Sequence, residues 1–214
     1  MHMNGKRVLP VLLAVILASL VIVNAAVFAY RWMTVNITVN PPDQASGAAC
    51  TGFYSSSAQP GIGLPTAGTN YNAQTYGRNT ITVTPGRVTC QWTSGTTTYY
   101  LYESIDVSMT LINGSWYIKD LYGFGYYTGS GSVYVTVRTE QAVSGVDYAY
   151  LYLYNASTGA QVGYIDLKTT GSSASFSLNP GQAVQLDLKI SIPSPGSYSF
   201  KVGFYVTQSS EAPR

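Results

Sequence analysis

Tyr148, Tyr150, Tyr152 and Tyr154 recur at every second position of one segment, with Ala149, Leu151 and Leu153 between them. Phenol rings at that spacing have two uses. Standing on one face of a strand they span roughly 20 Å at ~3.3 Å per residue, enough to stack against sugar rings or to hold a neighbouring protein fibre. Covered by a second layer, they form half of a sandwich core whose leucines serve the other side. Acid–base and nucleophilic chemistry have less to work with. The one histidine is His2, ahead of the apolar run described below. The remainder therefore has no imidazole for a Ser–His or Cys–His dyad, and no ligand set for a metal. Acidic residues stand singly: Glu103 and Asp106 fall on opposite faces of one predicted strand, and Glu140 is alone. No spacing selects the carboxylate pair that a glycosidase needs. We expect no catalytic, cofactor or metal site, and no enzyme.

Cys50 and Cys90 are the two cysteines. In an oxidising compartment an even pair implies a disulfide. It would close a loop of about forty residues and contribute about 3–4 kcal/mol in the chain-entropy account. Two buried free thiols are the other reading. Three glycosylation sequons begin at Asn36, Asn113 and Asn155. The last two fall in predicted turns, where an exported chain can accept a sugar without disturbing a sheet.

The elements that must carry these residues begin with an export signal. Val8 to Tyr30 has no charge and is long enough to cross ~30 Å of hydrocarbon as a helix. Lys6 and Arg7 precede it, which keeps the N-terminus in the cytoplasm and sends the rest out. Residues 1–30 read as a cleaved signal peptide, with small residues at Ala25 and Ala29, ahead of the alternative of a retained anchor with Tyr30, Arg31 and Trp32 at the interface. Pro10 near the start of the run keeps a type IV pilin-like leader as an alternative, although Gly5 stands before the basic pair. The location is expected to be extracellular or at the cell surface. Charged residues are 9% of the chain and the net charge is +2, so no basic patch for nucleic acid is present.

The exported part is patterned for strands. Thr34 to Asn40 alternates Val35, Ile37 and Val39 against Asn36, Thr38 and Asn40, and Pro41-Pro42 ends it. Pro41 to Asn79 reads as a long Gly/Ser/Pro-rich loop tied near its start by Cys50. Thr80–Thr84 and Arg87–Thr93 flank a Pro85-Gly86 turn. Tyr99–Ile112 reads as one strand, and Asn113-Gly114 as the hairpin turn that returns it along Ser115–Leu121. Ser132–Thr139, Val146–Tyr154 and Gln161–Lys168 follow. Val184, Leu186, Leu188, Ile190 and Ile192 then alternate with Gln185, Asp187, Lys189 and Ser191, and a last strand starts at Tyr198. This predicts an all-β fold: one antiparallel, Ig-like or jelly-roll-like sandwich over residues 43–214, behind an N-terminal apolar helix.

Residues 31–42 form a separate unit, a strand followed by a Pro-Pro spacer. Val35, Ile37 and Val39 can be the first strand of their own sandwich, or a donor strand that pairs with the next subunit's open edge. The second arrangement does not close on itself and builds a filament. The leader ending Ala25-Ala26-Val27-Phe28-Ala29-Tyr30, the alternating strand behind it, the Tyr/Thr/Gly-rich sandwich and the run from Leu178-Asn179-Pro180-Gly181 to Pro195-Gly196-Ser197-Tyr198 resemble archaeal surface-filament subunits of the thread and bundling-pilus kind. More distantly they resemble camelysin-type matrix fibre proteins. The resemblance implies a homopolymer assembled by donor-strand complementation, often glycosylated, with an adhesion or biofilm role. An anchored or secreted binding module that contacts glycans through its tyrosines is the alternative.

Overall fold

A computed structural model describes residues 49–208. The apolar run, Asn36 and the strand carrying Val35, Ile37 and Val39 lie outside the described residues. Twelve strands follow in chain order: β1 Cys50–Tyr54, β2 Thr80–Pro85, β3 Val88–Ser94, β4 Thr97–Tyr102, β5 Ile105–Thr110, β6 Gly114–Thr128, β7 Val133–Gln141, β8 Tyr148–Asn155, β9 Gln161–Asp166, β10 Ser173–Leu178, β11 Gln182–Ile192 and β12 Lys201–Thr207. A short 3-10 turn spans Asn72–Thr75. The strands form a seven-stranded sheet in the order β3-β4-β1-β6-β11-β8-β9, a three-stranded sheet β10-β7-β12 and a two-stranded sheet β2-β5. All pairings are antiparallel. The described residues are all-β, in a layered, sandwich-like arrangement.

Alternation builds the core. Val184, Leu186, Leu188 and Ile190 of β11, Ala149, Leu151 and Leu153 of β8 and Val133, Val135 and Val137 of β7 are buried in one cluster. Full burial of each such side chain is worth about 1.5–3 kcal/mol. Phe53, Phe124 and Phe204 meet there at ring-centroid distances of 4.8–5.1 Å, tying β12 down onto β1 and β6.

Three turn readings are corrected. Tyr99–Ile112 is two strands, β4 in the large sheet and β5 in the small one, broken at Glu103-Ser104. Asn113-Gly114 does not close a hairpin: β5 and β6 lie in different sheets, so the pair makes a crossover between layers. Pro85-Gly86 is likewise a corner, where β2 leaves the small sheet and β3 enters the large one. The β2–β5 ladder continues through Gly86 N–H to Ser104 O (2.9 Å) and Glu103 N–H to Arg87 O (2.8 Å) into the β3–β4 ladder. Here one long ribbon bends from layer to layer, as strands that switch sheets do at bends. Gly86 lies close against the Ser104 side chain at this bend.

The predicted loop from Pro41 to Asn79 contains a strand. Cys50 is not in a loop but opens β1, a central strand of the large sheet. β6 begins at Gly114 and runs to Thr128, well past the expected end at Leu121, and β10 occupies a stretch to which the sequence reading assigns no element. The last strand starts at Lys201; Tyr198 and Phe200 precede it and pack against the core without joining the ladder.

Cys50 and Cys90 are disulfide-bonded, with Cα atoms 5.8 Å apart. The bridge ties β1 to the edge strand β3. Thiol labelling of the denatured, unreduced protein should therefore find no free cysteine, and reduction should lower stability by about 4 kcal/mol. Two labelled thiols per chain would contradict the assignment.

Candidate functional site

The outer face of the seven-stranded sheet is divided in two. Over β1 and β4 it is covered by the segment between β1 and β2. Tyr54, fully buried, donates its hydroxyl to Pro65 O, and burial pushes its phenol pKa well up. Its ring lies over Gly123 and Gly125, where an added Cβ would come within 2.9 and 3.0 Å of it. Side-chain amides fasten the covering segment. Gln59 donates to Tyr100 O (2.9 Å) and accepts from Tyr100 N–H (2.7 Å). Asn72 does the same for Tyr117 O (3.0 Å) and Lys119 N–H (2.9 Å). Gln185 accepts from Gly68 N–H (2.6 Å) while donating to Tyr122 O (3.0 Å).

Over β8 and β9 the same face carries the tyrosines. Ala149, Leu151 and Leu153 turn into the core, so Tyr148, Tyr150, Tyr152 and Tyr154 turn outward, each half-buried. Register sets Tyr164 of β9 opposite Tyr152, and Lys189 of β11 opposite Tyr150. Ring centroids follow one another at 6.2, 6.2 and 6.3 Å along β8, with Tyr164 5.8 Å from Tyr152 and Tyr117 6.4 Å from it. Tyr164 is 54% exposed and Tyr117 40%. The Lys189 ammonium sits 5.3 Å from the Tyr148 ring centre, a cation–π contact.

At one end of this aromatic file β6 bulges. Between Ile118, opposite Leu188, and Tyr122, opposite Leu186, the ladder shifts, and Asp120 takes a positive φ of 55°. Asp187, 3% exposed, fills the irregularity: it accepts Asp120 N–H at Oδ1 (2.8 Å) and the Tyr117 hydroxyl at Oδ2 (2.6 Å). The Tyr117 oxygen also lies 3.2 Å from Tyr154 Oη. Burial raises the Asp187 pKa above its ordinary value; the two hydrogen bonds and nearby Lys119 oppose this without overcoming it. Burial, then the bond to Asp187, pushes the Tyr117 phenol well up. Tyr117, Lys119, Asp120, Tyr154, Asn155 and Asp187 line part of an open pocket of ≈ 400 Å³. Such a recess offers hydrogen-bond donors and acceptors beside aromatic surface, the composition of a small polar-ligand site. Among the described residues no cluster of three or more His, Cys, Asp or Glu is placed to hold a metal.

The other residues singled out in the sequence lie elsewhere. Asn113 is exposed at the β5–β6 crossover. Asn155 closes the β8–β9 turn, its Oδ1 accepting N–H groups of Ser157 and Thr158 at 2.9 and 3.0 Å. Glu103 pairs with Arg87 at 2.8 Å, Asp106 stands on β5 opposite Thr84, and Glu140 accepts the Tyr205 hydroxyl. Asp187, Asp120 and Tyr117 were not singled out. Asp187 sits in a regular outward alternation, and the bulge that gives it a partner has no signature in β6.

No protein-family model matches this chain, and no curated protein matches it.

The raised Asp187 pKa has a signed consequence. Because the folded-state value lies above the unfolded one, the fold binds the proton more tightly, and the stability this gives is lost as pH rises from the unfolded pKa through the folded one. Asp187→Asn keeps an oxygen for Asp120 N–H and should flatten this dependence. The melting temperature of the parent relative to the variant should fall as pH is raised from 3.5 to 7. An unchanged difference across that range would contradict the assignment.

Proposed function

We propose that this chain is a structural subunit of an extracellular filament, assembled head to tail by donor-strand complementation, with a role in adhesion or biofilm. The reading joins the resemblance to archaeal thread and bundling-pilus subunits with one observation. The layer facing the large sheet is split into β10-β7-β12 and β2-β5, which share no ladder among the described residues. The ladders of this layer among the described residues are β10–β7, β7–β12 and β2–β5. Val83, Ile105, Val107, Met109, Val202 and Phe204 pack on the core from these strands yet stay half-buried. A layer whose described strands form two separate ladders, with part-covered apolar residues, can receive one more strand.

In this reading residues 34–40 of a neighbouring copy supply that strand, with Val35, Ile37 and Val39 turned to the core. The two sheets then become one Ig-like or jelly-roll-like sandwich. Export through residues 8–30 brings the chain to the surface, and the Cys50–Cys90 bridge accords with an oxidising compartment. Sugars on Asn113 and Asn155 would sit on crossovers and turns, clear of the ladders. The role is structural rather than catalytic.

Each donor side chain would contribute about 1.5–3 kcal/mol on full burial. Ile37→Asp would place an unpaired charge there, at a cost of several kcal/mol. The parent should assemble, and the variant should be a monomer with an unchanged β signal by size exclusion and circular dichroism. Loss of that signal would mean that the strand belongs to its own sandwich. A parent that stays monomeric at every concentration would end the filament reading.

A further inference from the structure

We infer that the uncovered half of the large sheet's outer face is a binding site for a neutral polysaccharide, gripped by Tyr148, Tyr150, Tyr152 and Tyr164 and by the pocket beneath Tyr117 and Tyr154. The site is independent of the filament reading. Its rings form one continuous file across two strands, at centroid spacings of 5.8–6.3 Å. At its end the surface turns concave, into a recess of ≈ 400 Å³ lined by polar groups. A sugar chain presents both partners this combination needs: C–H surface for phenol rings, and hydroxyls for the carboxylate, amide and ammonium groups of a recess.

Charge selects among the polymers that could lie there. Lys119 and Lys189 stand with Asp120 and Asp187, and Asp166 lies on the same face opposite Tyr150, two cations against three carboxylates. Neither a phosphate backbone nor an acidic polysaccharide finds the excess of cations it requires. A second copy of the same face is a poor occupant as well. A two-fold contact would take the charged recess of both partners out of water, and the desolvation of charges in such a contact is costly. The phenol hydroxyls along the file suit a hydrated ligand better than a lipid tail.

The site is held ready by the fold. Tyr117 is positioned by its bond to the buried Asp187 carboxylate, and Asp187 is positioned by Asp120 N–H at the bulge. The rings on β8 are aligned because Leu151 and Leu153 are locked in the core on the opposite face. Little ordering remains to oppose binding.

Native affinity electrophoresis of the full-length chain, in a detergent without a sugar headgroup, tests this. Gels would contain galactomannan, glucomannan, hydroxyethylcellulose or, as the charged control, alginate. At least one neutral polymer should retard the chain. The double variant Tyr152→Ala/Tyr164→Ala should weaken that retardation at least tenfold. If the double variant loses its β signal, Tyr164→Ala alone, at the most exposed ring of the file, should still weaken it about threefold. Retardation by alginate only, by none of the neutral polymers, or to the same degree in the folded variant would overturn the proposal. Ile37→Asp, which probes assembly, should leave retardation intact, so the two readings fail separately.

Discussion

Strands of unequal length impose the constraint that organises this protein. β6 has fifteen residues and its neighbour β1 has five, so β6 runs on with N–H and C=O groups that β1 cannot reach. β4 has the same difficulty at Tyr100, because its ladder with β1 is limited to the register pair Phe53–Tyr102. Buried or half-buried backbone groups left without a partner are costly. At both places a side-chain amide presents one donor and one acceptor in the manner of a strand: Gln59 at Tyr100, and Asn72 across Tyr117 and Lys119. The segment between β1 and β2 is therefore an ordered cover, and Gln185 fastens its remaining margin at Gly68.

That cover decides what each part of the sheet can do. Where it lies, Tyr54, Ile62, Ala67, Tyr99 and Leu101 form a second small core on the outer face. Where it stops, the same face passes to the tyrosines of β8 and β9. The boundary is the bulge in β6, where Asp187 meets Asp120 and Tyr117. One strand, β11, thus manages three environments through its outward residues: Gln185 holds the cover, Asp187 holds the bulge and Lys189 meets the open aromatic file. In the opposite layer the described strands form two sheets that share no ladder, and that split is the support for assembly through an added strand.

The elements legible from sequence were those with long, uninterrupted alternation. β11, β7 and β8 bury the residues expected of them, because period two over seven or more residues leaves one register. Turn chemistry was less reliable. Asn113-Gly114 and Pro85-Gly86 have strong local preferences, yet a turn residue cannot say whether the next strand returns to the same sheet or crosses to the other. β1 was hidden because five residues with Gly52 at the centre carry almost no pattern; its identity comes from the β6 edge that it fills. The tyrosine file was legible as a stripe, but its exposure was not, since exposure depends on where a distant cover ends. Asp187 was legible as an outward polar residue, and its partner was not, because the Asp120 bulge arises from pairing between strands far apart in the chain.

Hydrogen–deuterium exchange on assembled protein and on the monomeric Ile37→Asp variant tests the central claim most directly. Donor-strand assembly predicts slower exchange in the assembled protein within β2, β5, β10 or β12, the outer strands of the split layer, while β8 and β11 exchange alike in both states. Equal exchange along all four strands would contradict the account, because a strand added to this layer in trans must pair with one of them.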